Sequence, residues 1–473
     1  MSGADRELAL ASAHELLDGF QAGRFTPVDA LDAVLQQLDR FEPELNAFCL
    51  VDKAAARRQA EAAAGRWKRN APQGLLDGVP VSVKDIIHTK GWPTLRGSRT
   101  VDPHAAWDED GPAVARLRDH GAVLFGKTTT PEFAFKGTTD SPLTGITRNP
   151  WNTRMTPGGS SGGASAAVAA GIGPLALATD AGGSVRIPAS FAGVFGFKPS
   201  GGRVAMYPPT PYATLASFGP ITRTVADAAL MMSVIAQPDV RDWEAETASP
   251  PPYHEKLDDA DPSRWRIGWS PTLGYVNAKP EVIARVEKAV EAFAAMGARV
   301  ERIEHVIDDP WPLLARFKRG LTAYAFRNLP PSRYSEMDPA LVAEIEQSKG
   351  ADLIDHLDAQ MERAALARRM AAFHQSYDLL LTPTLAVPPF EVGRNAPEDY
   401  SGRSWYGFTY PFNLTRQPAA SVPCGLSADG LPIGLQIVGP PRNDMLVLQA
   451  ARAFERACPW PHTAPIAARN NTP

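Results

Sequence analysis

The chain has 473 residues, 44% hydrophobic and 21% charged, a balance that excludes a disordered polypeptide. Its formal net charge of −4 gives neither a nucleic acid nor an anionic membrane a reason to bind. Three scattered cysteines (Cys49, Cys424 and Cys458) and an N-terminus without a basic-then-apolar leader exclude a disulfide framework and a secretory signal, so a cytoplasmic protein is expected.

Residues 5–22 have helical periodicity. Thr26-Pro27-Val28-Asp29 predicts a helix start, with Thr as N-cap and Pro in the first turn, and the helix runs to about Phe41. A third helix fits Asp52 to Arg69. Val79 to Lys84 alternates and is β-branched, which predicts a strand. On a strand Lys84 points away from the face of Asp85. A helix over 111–120 leads into Gly121-Ala122-Val123-Leu124-Phe125-Gly126-Lys127-Thr128, which fits the phosphate-binding pattern G-x-x-x-x-G-K-[ST]. That pattern works only if its interior is a loop that follows a strand. Here the interior is strand-forming and follows a polar helix, so no nucleotide site is expected. Phe133 and Phe135 come next, with the loop around Gly137.

Thr156 to Ser200 is the centre of the chain. It holds two glycine-cradled serine sites, Gly158-Gly159-Ser160-Ser161-Gly162-Gly163 and Gly182-Gly183-Ser184. Between them, small apolar residues predict a buried helix over about Ala164 to Ala170 and a strand over about Leu175 to Thr179. This apolar run is interrupted by Gly171, Gly173 and Pro174 and is shorter than a membrane span. Glycine permits the tight turns and close approaches that bring two hydroxyls together.

After Ala236 a Pro- and acid-rich loop covers 237–263. A strand over 266–269, a helix over Pro280 to Met296 and a strand over Ala298 to Ile303 predict a βαβ unit with a parallel pair. Helical segments follow at 311–328, 338–348 and 351–376, and a strand at 377–383. The loop 391–411 carries Trp405, Tyr406, Phe408 and Tyr410.

These segments resemble the amidase signature family of serine hydrolases. Lys84 in GVPVSVKD corresponds to that family's catalytic lysine. Ser160, the first serine of GGSSGG, corresponds to its bridging serine, and Ser184 in TDAGGSVRIPAS to its nucleophile. GAVLFGKTTTPEF at 121–133, FGPITRTVADAA at 218–229 and FNLTRQPAASVPCG at 412–425 also match. The resemblance implies an α/β fold of three layers, α/β/α, around a large mixed sheet. It implies one domain over 1–473, with the signature core at about 70–235 and a helical segment at about 305–376 shaping the substrate entrance. It implies a cis Gly159–Ser160 peptide and supporting roles for Ser161, Thr179, Asp180 and Arg186.

A serine hydroxyl needs a base. The chain has 9 His, none of them in these motifs, and it lacks the H-E-x-x-H and C-x-x-C pairs of metal sites and the G-x-S-x-G elbow at Ser184. The Ser–Ser–Lys arrangement implied by the resemblance needs a neutral lysine. At a pKa of about 10.4, roughly one lysine in 2,500 is neutral at pH 7. Lowering the pKa by roughly 3 corresponds to about 4 kcal/mol, within reach of burial without a carboxylate partner. The backbone N–H groups of Ala181, Gly182, Gly183 and Ser184 are the expected oxyanion donors.

The expected activity is hydrolysis of a small, apolar or aryl carboxylic amide, extending to carbamates and esters. No cofactor, metal, nucleic-acid or membrane partner is expected, and the chain is expected to be a monomer or homodimer. Phe133, Phe135 and Tyr410 are candidate pocket residues. Arg416 stands where relatives often have glycine; pointed into the cleft, it would bind an acidic or polar substrate group. The alternative reading is the glutamine-hydrolysing subunit of a tRNA-dependent amidotransferase.

Overall fold

Short aliphatic runs, each bounded by turn residues, line up as strands of one large sheet whose faces are covered by helices. The computed structural model describes residues 3–468. Its strands are β1 (Phe48–Val51), β2 (Pro80–Lys84), β3 (Val123–Thr128), β4 (Asp140–Ser141), β5 (Gly145–Ile146), β6 (Leu175–Asp180), β7 (Phe195–Lys198), β8 (Ser217–Thr222), β9 (Arg266–Trp269), β10 (Arg299–Arg302), β11 (Leu379–Pro383), β12 (Ala419–Leu426) and β13 (Pro432–Val438). The 11-stranded sheet has the order β1-β3-β2-β6-β8-β7-β12-β13-β11-β9-β10, and β4 and β5 form a separate hairpin. β2 runs parallel to β3 and β6, and β9 runs parallel to β10 and β11, while the other neighbours in this sheet are antiparallel. The sheet is therefore mixed. The predicted βαβ unit is present, with the helix Pro280–Ala295 between β9 and β10.

The central strands β2 and β6 are buried along their whole length, as expected for strands covered on both faces. Val81 and Val83 lie beside Leu175 and Leu177 and pack into the core on one face. Ala176 and Ala178 pack on the other face against the helix Gly162–Ala169. Alternation turns Ser82 and Lys84 toward that second face. Alanine on both surfaces lets helix and sheet lie close, which carries the serines at the helix start to the end of β2.

Two elements differ from the sequence expectation. The helical stretch 5–22 is two helices, Gly3–Leu10 and Ala13–Gln21. Ser12 starts the second one: its Oγ accepts from the Glu15 N–H, and its own N–H donates to Glu15 Oε2 at 2.7 Å. The helix capped by Thr26 continues past Phe41 to Leu45 and ends on Asn46 in the left-handed region, φ 51°. The segment resembling a phosphate loop is strand β3, with all six residues buried. Its Lys127 bonds to the Ile87 carbonyl and to Thr94 and faces Asp85 at 3.4 Å. Among the described residues no helix is long and apolar enough to cross a membrane.

Candidate active site

Lys84 ends β2 and is fully buried. Its Nζ lies 2.6 Å from Ser160 Oγ, 2.9 Å from Ser161 Oγ and 2.9 Å from Thr179 Oγ1. Burial pushes the ammonium well below its ordinary pKa, and the charge of Asp180 opposes this without reversing it. Asp85, the next residue, pairs with Lys127 instead. Ser161 Oγ donates to the Thr179 carbonyl at 3.2 Å, so toward Lys84 it accepts. Ser160 and Thr179 are left as the neighbours free to give a proton to the lysine lone pair, and Ser160 is the nearer at 2.6 Å.

The peptide between Gly159 and Ser160 is cis. Gly159 is pressed against the Thr138 backbone, where an added Cβ would lie 2.6 Å from the carbonyl oxygen. The two glycine loops meet where the Ser161 N–H donates to the Ser184 carbonyl at 3.3 Å. Ser160 and Ser184 open onto one cavity of about 680 Å³.

Asp180 shapes the second loop. Its carboxylate accepts from the Gly183 N–H at 2.7 Å and from Val185 N–H at 3.2 Å, and pairs with Arg186 at 2.9 Å. Burial by itself would raise the Asp180 carboxyl, but Arg186 beside it holds the group well below the usual carboxylate range. Arg186 also donates to the Thr409 carbonyl, Asn413 Oδ1 and Gln436 Oε1. Asn413 Nδ2 returns to Asp180 at 2.9 Å. Gly183 takes φ 128°, a conformation open to glycine, and a Cβ there would strike Thr409.

This corrects one expected oxyanion donor. The Gly183 N–H is committed to Asp180 and does not face the cavity. Ala181, Gly182 and Ser184 do line it, and their N–H groups make no hydrogen bond among the described residues.

Phe133, Phe135 and Tyr410 line the cavity. Phe133 and Ala134 sit in the left-handed region, φ 48° and 59°, which costs roughly 1–2 kcal/mol per residue. This backbone sets Phe133 edge-on to Phe326, with centroids 5.1 Å apart. Arg416 is not a cavity residue. It turns outward to Glu244, at 3.5 Å, and lies over Gly201. Its own φ of 59° aims it there.

Sequence reading missed the charged wall. Lys318 from the helix Trp311–Ala325, Glu344 from the helix Pro339–Ser348, and Arg403 line the cavity together. Glu344 lies 2.5 Å from Lys318 and 2.8 Å from Arg403. Tyr212 joins them through Thr322 at 2.8 Å. No motif marks these residues, because mixed charge on a helix reads as a solvated face. Among the described residues no group of three His, Cys, Asp or Glu side chains is placed to hold a metal.

The sequence matches the Amidase family model over residues 29–448. It is 35% identical over 478 residues to an acylamidase of Rhodococcus erythropolis, covering 98% of each chain. It is also 35% identical over 484 residues to a glutamyl-tRNA(Gln) amidotransferase subunit of Roseiflexus castenholzii, covering 97% of each. A solved bacterial aryl acylamidase, described as belonging to the amidase signature enzymes, superposes with a TM-score of 0.90 at 31% identity over 98% of this chain and 99% of that one. With its sheet matched to that structure and its sequence matched to the family from residue 29 to residue 448, the chain belongs to the amidase signature family.

Proposed function

We propose that this protein is an acylamidase-type hydrolase that cleaves the C–N bond of small amides with apolar or aryl groups, through an acyl-enzyme on Ser184. The observation that carries this reading is the buried Lys84 amine among three hydroxyls and no carboxylate. Burial in that setting disfavours the ammonium, which makes the amine available as a base. Lys84 accepts the Ser160 proton while Ser160 accepts the proton of Ser184. The Ser184 oxygen then bonds to the substrate carbonyl carbon, and the N–H groups of Ala181, Gly182 and Ser184 receive the oxyanion. The proton returns through Ser160 to the leaving nitrogen as the C–N bond breaks, since an amine anion is a very poor leaving group. Water entering from the cavity hydrolyses the ester. Phe133, Phe135, Phe326, Tyr406 and Tyr410 favour an apolar or aromatic body, and the same chemistry extends to carbamates and esters.

The second reading is the glutamine-hydrolysing subunit of a tRNA-dependent amidotransferase, supported by the identity to such subunits. Free glutamine carries an ammonium as well as a carboxylate. Among the described residues that line the cavity the one acid is Glu344, and it is already held by Lys318 and Arg403. That leaves the glutamine ammonium without a carboxylate and favours the acylamidase reading.

The test is turnover of an anilide, an aryl carbamate, an aryl ester and glutamine by the wild type and by Ser184→Ala. Anilide turnover that vanishes in the variant is the expected result. Ammonia from glutamine alone, or activity only after other proteins are added, would replace this reading with the second.

A further inference from the structure

Charge in the cavity is one-sided. Among the described residues five cationic side chains line it, Arg96, Lys136, Lys318, Arg327 and Arg403, against one carboxylate, Glu344. One of the five, Lys136, is matched by acids outside the cavity, while Arg327 has neutral partners and Arg96 lies 3.3 Å from His88 Nε2. Lys136 contacts Asp140 at 2.6 Å and Asp338 at 2.7 Å. Arg327 lies over the Tyr324 ring and donates to its carbonyl at 2.7 Å. Lys318 and Arg403 share a single acid, so the wall keeps an unmatched positive charge.

Arg403 also has donors to spare. Its Nη2 donates to Glu344 at 2.8 Å and to the Phe135 carbonyl at 3.3 Å. Nε and Nη1 make no hydrogen bond among the described residues, and neither is sealed away as a buried unpaired atom. The guanidinium is held in place by Glu344 and by the Trp311 ring, 5.3 Å from its Cζ. A fixed, part-desolvated guanidinium with open N–H groups is a receptor for a planar anion.

We propose that Arg403, supported by Lys318, binds a carboxylate carried by the amide substrate, so that the preferred substrates are amides with an apolar or aryl body and an acid group. This deepens the function proposed above and rests on it. The role of Arg403 is specificity: the carboxylate neutralises the wall and takes the open donors, while Glu344 keeps the guanidinium in register. If Arg403 only tied the Pro339–Ser348 helix to the aromatic loop, its Nη2 bonds would suffice and the open donors would have no function.

The experiment compares acetanilide with two acids, 4-acetamidobenzoate (acid on the amine side) and succinanilate (acid on the acyl side). Wild type, Arg403→Met and Arg403→Lys are compared. Arg403→Lys keeps a cation beside Glu344 and loses the open guanidinium donors. Wild type is expected to favour one of the acids over acetanilide, and that preference should fall about 10- to 100-fold in both variants, through KM rather than kcat. The side on which the acid is preferred locates Arg403 relative to the scissile bond. A preference that is absent in wild type, or equal in all three proteins, overturns the proposal.

A binding measurement separates it from the function it rests on. Calorimetry of Ser184→Ala with 4-acetamidobenzoate and benzoate, repeated with Arg403→Lys added, needs no turnover. If wild type cleaves no anilide while acid binding to Ser184→Ala weakens at least about tenfold with Arg403→Lys, the carboxylate site is kept and the amidase reading is discarded. Anilide cleavage with acid binding indifferent to Arg403 does the reverse.

Discussion

On the serine–lysine side of the cavity the charges beside Lys84 and Ser184 are settled within the fold. Asp180 is matched by Arg186, Asp85 by Lys127, and burial pushes Lys84 well below its ordinary pKa. On the wall formed by residues 311–348 and 403–410, two cations share one acid and donors stay open. The first region must hold one geometry through the reaction, so its groups satisfy one another. The second must gain something when substrate arrives, so it is left incomplete. Preorganisation serves the chemistry, and a residual charge serves selection.

The comparison breaks most completely at Ser184. Ser184→Ala is expected to lower anilide turnover by roughly 10⁴-fold or more with an unchanged circular dichroism spectrum; a variant that keeps a tenth of the activity would end the acyl-enzyme scheme. Lys84→Met is expected to cost about 10²–10⁴-fold in kcat/KM. In wild type, activity is expected to fall as acid protonates Lys84, below its depressed pKa, and in the variant that acid limb is expected to be lost from the pH profile.

Asp180→Asn leaves Arg186 buried without its carboxylate and is expected to cost about 3–5 kcal/mol in urea unfolding. Because the folded Asp180 carboxyl is depressed, its contribution is present above about pH 4 and is lost only as pH falls toward the depressed value. A smaller effect sharpens the contrast from the wall side. Burial and the neighbouring Arg403 push Lys318 down to about 8, against the opposing charge of Glu344. Between pH 7 and 9, as Lys318 loses its charge, KM for a carboxylate-bearing amide is therefore expected to rise about two- to fivefold. Tyr212 and Tyr406, pushed up to about 12 by burial, stay neutral across that range. Last, Arg416→Ala is expected to change stability by less than about 1 kcal/mol and to leave KM alone, because its Glu244 pair is part-exposed and lies outside the cavity.

What the sequence disclosed follows the same division. Lys84, Ser160 and Ser184 are legible through the resemblance of their motifs to the amidase signature family; taken alone, the glycine loops read equally as turns and Lys84 as a lysine at a strand end. The commitment of the Gly183 N–H to Asp180 was not legible, since it depends on which way one peptide turns. Arg416 drew attention because it departs from a motif, and its left-handed backbone carried it outward. Arg403 sits in a loop read for its aromatic residues. Its meaning depends on two helices that arrive from elsewhere in the chain, so local pattern alone does not reveal it. The split at Ser12 was written in Ser12 and Glu15 and was masked by continuous helical periodicity.

The contacts of Arg186 carry a consequence for how the protein is made. Its partners Thr409, Asn413 and Gln436 lie 223, 227 and 250 residues further along the chain. A ribosome that has delivered Lys84, Ser160 and Ser184 has therefore not yet delivered the groups that fix the Ser184 loop. The Ser184 loop is complete only when β12 and β13 are in place, so the growing polypeptide holds Ser184 in an unfinished setting until Gln436 has been added.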